Sequence, residues 1–294
     1  MPVRFSDPIH STRQNTMAKL NYLNAGCGNK FHPDWYNIDM TSNSPDVLAA
    51  NLLNGIPFPD NRFDVVYHSQ VLEHFPKEKA AGFLKECYRV LKPNGIIRVV
   101  VPDLENIVNE YTKLLKENIE HPDEMSSANY DWIMLELYDQ TVRNYSGGHM
   151  AEYLQQPHLI NERYVLDRMG YVGRKIREEY LTGKGGAGNL RRAFSSLKMF
   201  TKAVRYVFRT TLRSQTSNIG AFRLGGEIHQ WMYDRYSLSR LLKECGFVNI
   251  SIKNPVESNI PKWNEYELDV KDGLIYDPTS LYMEARKEST HNIV

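Results

Sequence analysis

Cysteine is scarce: Cys27, Cys87 and Cys245 are the only three in 294 residues. They are far apart and odd in number, which excludes a disulfide framework and points to a reducing compartment. Metal-ligand spacing is lacking too. No Cys or His pair is supported by a second pair, so no metal site is expected. No apolar run approaches the length of a membrane span. Residues 1–18 are polar and have no apolar core of signal-peptide length. They read as a loose extension, and a cytoplasmic location is expected. Overall charge is nearly absent at +1, but its distribution is uneven. Between Arg163 and Arg213 there are thirteen Lys or Arg and three Asp or Glu, a local +10 that leaves −9 elsewhere. Such a block points to an anionic partner or surface. What remains, 41% hydrophobic and 24% charged residues, is the composition of a soluble globular protein.

A glycine turn stands near the N-terminus, Leu23-Asn24-Ala25-Gly26-Cys27-Gly28, followed by Asn37-Ile38-Asp39. An apolar run enters the turn, and a second apolar run ends on a carboxylate. A parallel α/β sheet builds a nucleoside pocket in this way, at the carboxyl ends of its first two strands. The carboxylate can accept hydrogen bonds from both ribose hydroxyls. A dinucleotide fingerprint would need a third glycine and a helix to hold the pyrophosphate. Phe31 occupies that glycine position and Pro33 follows. Only eleven positions separate Gly28 from Asp39, too few for an ordinary strand-helix-strand unit. The expected ligand is a nucleoside without a pyrophosphate, and a nicotinamide oxidoreductase is disfavoured.

Strands are expected at Tyr22–Ala25, Tyr36–Asp39, Phe63–Ser69, Ile96–Val101, Phe247–Ile252 and Ser280–Arg286. The apolar centre of Phe63–Ser69 predicts helices on both faces of the sheet. Lys77–Leu91 reads as an amphipathic helix stopped by Lys92-Pro93-Asn94-Gly95. Ser237 is the expected N-cap of a helix over Leu238–Cys245, ended by Gly246. Between these parts, residues 104–118, 129–145, 161–180 and 190–213 read as helices, with a glycine-rich link from Gly183 to Gly188. The division expected is an extension over 1–18, an α/β core over 19–103 and 227–294, and a helical insertion over 104–226 serving as a substrate-binding cap.

The segments LNAGCG, YNID, IPFPDNRFDVVYHSQVLEH and RVLKPNGIIRVVVPD, in this order and spacing, resemble class I S-adenosylmethionine-dependent methyltransferases. Among these, the chain is similar to the methyltransferase-11-type group associated with bacterial polysaccharide and surface-glycan gene clusters. The likeness covers about 19–103, 227–253 and 280–287. It implies a Rossmann-like α/β fold: a mostly parallel seven-stranded sheet in order 3-2-1-4-5-7-6 with the last strand antiparallel, here carrying a large helical insertion. It also implies S-adenosyl-L-methionine as cofactor. Asn24, Ala25, Gly26 and Gly28 would lie under its methionyl and ribose parts. Asp39 would bind the ribose hydroxyls, and Met40 would lie against the adenine. Asn51 with Leu52 would stand by the adenine amine, and Ser69 and Gln70 would follow the strand facing the sulfonium. Asn24 and Asn51 stand where the family commonly has acids, so neither contributes charge toward the cationic cofactor.

Methyl transfer to a hydroxyl needs the nucleophile placed in line and its proton removed. His229, in Gly225-Gly226-Glu227-Ile228-His229, and His74, in Leu72-Glu73-His74, are the candidate catalytic residues. A structural histidine is the alternative for each, and His68 and His149 rank below them. Cys27 reads as a small filler in the glycine turn. Along 190–213, Leu190, Phe194, Leu197, Phe200, Val204, Val207, Phe208 and Leu212 share one helical face. Lys and Arg share another, the pattern of a membrane-surface or anionic-substrate element, or of a helix packed on the core with a solvated basic face. The expected reaction is O-methylation of a sugar or a phosphate-bearing glycan precursor, with peripheral membrane contact through 190–213. The alternatives are a methyltransferase acting on RNA or protein and a non-catalytic cofactor-binding module. No nucleic-acid-binding module supports the first of these.

Overall fold

The computed structural model describes residues 20–42, 44–183 and 215–289. The extension over 1–18, most of the glycine link and the basic segment 190–213 lie outside the described residues.

Strands β1 (Tyr22–Ala25), β2 (Tyr36–Asp39), β3 (Val47–Ala49) and β4 (Phe63–Ser69) come first. Helix α1 (Lys77–Val90) follows, burying Ala80, Phe83, Leu84 and Cys87 along one stripe. It leads directly into β5 (Leu91–Pro102). The expected helix stop is therefore also the start of a strand longer than its apolar centre predicts. Asn94 turns within it at φ +62°. Helices α2 (Leu104–Glu120), α3 (Glu124–Val142), α4 (Gly148–Leu154), α5 (Glu162–Leu181) and α6 (Gln215–Arg223) come next. The chain ends with α7 (Arg235–Glu244), β6 (Phe247–Lys253), a small hairpin of β7 (Val270–Lys271) and β8 (Leu274–Ile275), and β9 (Ser280–Lys287).

Seven strands form one sheet in the order β3-β2-β1-β4-β5-β9-β6. Only β9 runs against its neighbours, pairing antiparallel with both β5 and β6. With the hairpin set aside, this is the order 3-2-1-4-5-7-6 that the resemblance implies.

Two helix starts differ from expectation. Asp234, not Ser237, caps α7: its carboxylate accepts from Tyr236 N at 2.9 Å and Ser237 N at 2.7 Å. Ser237 closes the box from the third helical position by accepting from Asp234 N at 3.0 Å. Asp123 likewise starts α3 five residues before the position expected, accepting from Ser126 N at 2.8 Å.

The two faces of the sheet are covered differently. On one, Leu23, Ile38, Val66 and Val99 pack beneath α1 and α7 with Leu84, Leu238 and Leu242. On the other, Tyr22, Trp35, Tyr67, Val100 and Tyr282 meet Ile260, Trp263 and Leu268 from an irregular segment after β6. Among the described residues, this second cluster draws on that segment, with its short 3-10 helix Trp263–Tyr266, and on no α-helix, which differs from the helices expected on both faces. The chain between β1 and β2 is too short for a helix, and aromatic side chains fill the place. Trp35 packs edge-on against Tyr22, Tyr67, Trp263 and Tyr266, with ring centroids 4.9–6.2 Å apart. Arg98 fastens this layer to the sheet. Its Nε donates to Asp269 and one terminal nitrogen to Glu284, both at 2.8 Å, and all three side chains are buried. The remaining donors reach the carbonyls of Glu257 at 3.0 Å and Asn254 at 2.9 Å.

The helices after β5 have cores of their own. Trp132, Met150, Leu154, Val165 and Ile176 form one, and Ile107, Leu114 and Ile133 another. No helix among the described residues is long and apolar enough to cross a membrane.

Candidate active site

The glycine turn leaves β1 as expected. Gly26 N donates to Ile38 O at 2.8 Å, joining the turn to β2. Gly26 has φ +76°, and a Cβ there would lie 2.5 Å from Val71 Cγ2. The left-handed conformation and the close approach of the segment after β4 both require glycine. Gly26→Ala is expected to cost about 1–3 kcal/mol, and a thermal melt beside wild type checks it.

Asp39 closes the turn from the end of β2. Its carboxylate accepts from Gly28 N at 2.6 Å and from Thr41 N at 3.1 Å. Burial pushes its pKa up to about 6, against the lowering effect of these backbone bonds. Asn24 is buried and donates its amide to Lys30 O at 2.8 Å, so it holds the far end of the loop. Ala25 is buried in the sheet beside it. Asn51 is the N-cap of a short 3-10 turn, Leu52–Asn54, accepting from Leu53 N at 3.0 Å. Ala50 N donates to Asp39 O at 2.6 Å, so Asp39, Met40, Asn51 and Leu52 gather at the adjoining ends of β2 and β3. Burial pushes the Cys27 thiol far up, which fits a filler and not a nucleophile.

A cavity of about 550 Å³ opens at the carboxyl ends of β1, β4 and β5. This is the size of ordinary small-molecule sites. Gly26, Ser69 and Gln70 line it; Asn24, Ala25, Gly28, Asp39, Met40, Asn51 and Leu52 do not. Gln70 carries a positive φ of +56° at the end of β4, and its amide donates to Ser280 at 2.9 Å. Lys30 reaches in from the loop, donating to Ser69 Oγ at 2.8 Å with Asp277 at 3.8 Å.

The opposite wall belongs to α3 and α5. Arg168 is held by Glu136 through bonds of 2.7 and 2.6 Å, and Lys175 and Tyr171 also face the cavity. Gly170 breaks α5 between these residues, at φ +61°. A Cβ there would stand 2.3 Å from Ile275 O, so the break lets the helix rest against the β8 strand. Arg143 also lines the cavity although it is buried. One of its nitrogens donates to Glu227 O at 3.1 Å, while its Nε has no partner.

His74 and His229 meet in the same cavity, with ring centroids 4.8 Å apart and planes at 85°. Backbone bonds bring their segments together. Gln230 N donates to Glu73 O at 2.7 Å, Gln230 Nε2 donates to His74 O at 2.9 Å, and His229 N donates to Gln140 O at 2.9 Å. His74 Nδ1 lies 3.1 Å from Ile228 O. A carbonyl only accepts, so that nitrogen carries the proton. Burial lowers the His74 pKa to about 4 and takes His229 well below the ordinary range, with Arg143 adding to both. Both rings are neutral at pH 7.

Glu73 was not foreseen as a site residue. Its side chain is fully buried beside the two rings, 3.8 Å from His74 Nε2 and 4.0 Å from His229 Nε2. Neither carboxylate oxygen has a hydrogen-bond partner among the described residues, and burial pushes its pKa up to about 8. In the sequence it is one acid among 35, and adjacency to His74 is its sole distinguishing mark. His68 is buried against Phe83, and His149 is exposed beside Tyr145 and Glu152; neither reaches the cavity.

The family described as "Methyltransferase domain" matches residues 34–99, from before β2 into β5. Over 58 residues the chain is 41% identical to a Mycolicibacterium smegmatis protein named "Probable S-adenosylmethionine-dependent methyltransferase", a match covering 20% of this chain and 21% of that one. Over 133 residues it is 23% identical to the phosphoethanolamine N-methyltransferase of Plasmodium falciparum, covering 43% and 47% respectively. The chain thus spans about a fifth of the first relative's length and about half of the second's. A solved structure, a SAM-dependent methyltransferase from Archaeoglobus fulgidus, is 12% identical over 91% of this chain and 86% of that one, with a TM-score of 0.37. The strand order and the matched segment together define a Rossmann-like class I methyltransferase fold.

Proposed function

We propose that the protein is an S-adenosylmethionine-dependent methyltransferase whose acceptor is a hydroxyl on a sugar or a phosphate-bearing glycan precursor. The observation that carries this reading is a single cavity, within a methyltransferase fold, that has the glycine turn and Ser69 at one end and two neutral imidazoles at the other. The cofactor's ribose is assigned to Asp39, with Gly26, Gly28, Asn24 and Ala25 beneath the methionyl part. Its adenine is assigned to the ends of β2 and β3, with Met40, Asn51 and Leu52, and its sulfonium to the vicinity of Ser69 and Gln70. When bound, the cofactor would supply a methyl group to the acceptor oxygen, its sulfur keeping the electron pair of the broken carbon–sulfur bond. The hydroxyl loses its proton at the cluster of His74 and His229.

An anionic acceptor is supported by Lys30, Arg143, Arg168 and Lys175 on the cavity wall, and by the unpartnered Nε of Arg143. In this proposal residues 104–226 act as a cap over the core formed by 19–103 and 227–294. The basic stretch 190–213, outside the described residues, meets an anionic acceptor or membrane surface. The protein would then act in the cytoplasm, in polysaccharide biosynthesis. A second reading keeps the phosphate but changes the acceptor atom to nitrogen, as the name of the Plasmodium relative suggests. Mass spectrometry of sugar phosphates, lipid-linked sugars and phosphoethanolamine, each incubated with enzyme and labelled cofactor, separates the two. Calorimetry with the cofactor alone tests the shared premise, and no detectable binding would sink both.

Cofactor affinity should depend on pH through Asp39. The carboxylate accepts from the ribose hydroxyls, and with a pKa near 6 it protonates as pH falls through that value. The dissociation constant is expected to be flat above pH 7 and to rise below 6, by up to about tenfold per pH unit. Titrations at pH 5 and 7.5 check this; in Asp39→Ala the dependence should vanish, with affinity weaker by about 1–3 kcal/mol.

A further inference from the structure

We propose that Glu73, His74 and His229 form a binding site for one divalent transition-metal ion, with an open coordination position facing the cavity. One ligand atom from each of the three lies within 4.8 Å of the others. Ligands held 2.0–2.2 Å from a tetrahedral ion stand roughly 3.3–3.5 Å apart. The distances of 3.8 and 4.0 Å from Glu73 to the two imidazole nitrogens therefore close by about half an ångström on binding. The remaining pair, the two imidazole nitrogens, lies within 4.8 Å and closes by up to about 1.5 Å, so the rings turn toward each other on binding.

Two features mark this as a ligand set and not a chance cluster. Glu73 is fully buried, and among the described residues neither of its oxygens has a hydrogen-bond partner, an arrangement costly for a carboxylate unless a proton or a cation answers it. His74 is already oriented. Its Nδ1–H donates to Ile228 O at 3.1 Å, leaving the Nε2 lone pair directed toward Glu73. Metal-binding histidines are held this way, the second nitrogen donating to a backbone carbonyl.

The surrounding charges favour a dication. Arg143 is the nearby cation, but Glu227 lies 3.9 Å from it and buried Asp139 also acts on it. Lys30 and Asp277 pair with each other at 3.8 Å. Each of these two cations is thus offset by a carboxylate, so neither stands uncompensated beside the three ligands. Two imidazoles and one carboxylate select zinc or a neighbouring transition metal over magnesium, which prefers oxygen. His74 and His229 both line the cavity, so the fourth position is open to water or to an acceptor hydroxyl, whose acidity the ion would raise. That last consequence rests on the methyltransferase reading; the ion site does not.

The test uses metal-stripped full-length protein titrated calorimetrically with zinc chloride and, separately, magnesium chloride. One zinc per chain is expected, with magnesium at least about 100-fold weaker. Glu73→Gln and His229→Ala should each weaken zinc binding about 100-fold or more. Cofactor titrations on the same samples show whether the variants remain folded. Wild-type protein loaded with cobalt(II) should show the visible absorption of a four-coordinate site and lose it on adding zinc, a readout that needs no variant. Zinc binding weaker than about 1 mM, or binding unaltered by both substitutions, overturns the site. Cofactor binding without zinc binding overturns the ion site alone. Zinc binding without cofactor binding supports the ion site and overturns the methyltransferase reading.

Discussion

Arg98→Leu is expected to lower stability by about 3–5 kcal/mol, the largest effect of any single substitution considered. Arg98 stands in β5, fully buried, and its guanidinium is the shared partner of Asp269 and Glu284. Leucine fills part of the volume but leaves two buried carboxylates without their cation. Glu284 keeps bonds from Asn259 N at 2.9 Å and Ser258 Oγ at 2.5 Å, and Asp269 keeps one from Tyr67 at 2.7 Å. These bonds soften the loss without replacing the charge. The irregular segment over 254–269 covers one face of the sheet through Trp263 and Leu268, so loosening it also exposes the aromatic layer. At about 2–4 °C per kcal/mol for a domain of this size, the melting temperature should fall by roughly 6–20 °C. Differential scanning calorimetry reads it directly. A fall under 2 °C would show that the ion pairs contribute little. Removing all three charges with Arg98→Leu, Asp269→Asn and Glu284→Gln together should recover part of the loss, because the penalty lies in the unpaired carboxylates.

His229→Ala is expected to lower turnover by about 10²–10⁴-fold while leaving cofactor affinity within about threefold. The reason is position. His229 lines the cavity beside His74, whereas the Asp39 carboxylate and the glycine turn belong to other elements. Its neutral ring, kept so by burial, has a lone pair available at pH 7. Single-turnover measurements with labelled cofactor separate a loss in transfer from a loss in binding. Unchanged turnover would remove His229 from the mechanism. The matching substitution at His74 tests whether the two rings act together, because its Nδ1 is committed to Ile228 O while its Nε2 lies 3.8 Å from Glu73.

Much of the core was legible in the chain. The boundaries of β1, β2 and β4 follow from short apolar runs ended by Gly26, Asp39 and Gln70, signals that act within a few residues. Strand β3 was not legible, because Val47–Ala49 is three residues long and owes its place to pairing with β2. Helix α4 was missed for the same reason: seven residues carry little periodicity, and Asp139 from α3 receives its first amides. The covering of the second face was misjudged. The apolar centre of β4 shows that both sides are buried, but it does not distinguish a helix from a layer of aromatic rings.

The sequence by itself determined the glycine turn, the carboxylate eleven positions later and most strands of the sheet, because turn chemistry and periodicity are local. Phe31 and Pro33 already disfavoured a dinucleotide site. Only the tertiary structure decided that Glu73 stands beside both His74 and His229, since Glu73 and His229 lie in segments joined by backbone bonds across more than 150 intervening residues. Only the fold could show that Glu73 is buried without a partner, because burial and hydrogen bonding are properties of the packed chain. No spacing rule finds a ligand set whose members come together only when the helical insertion returns to the sheet.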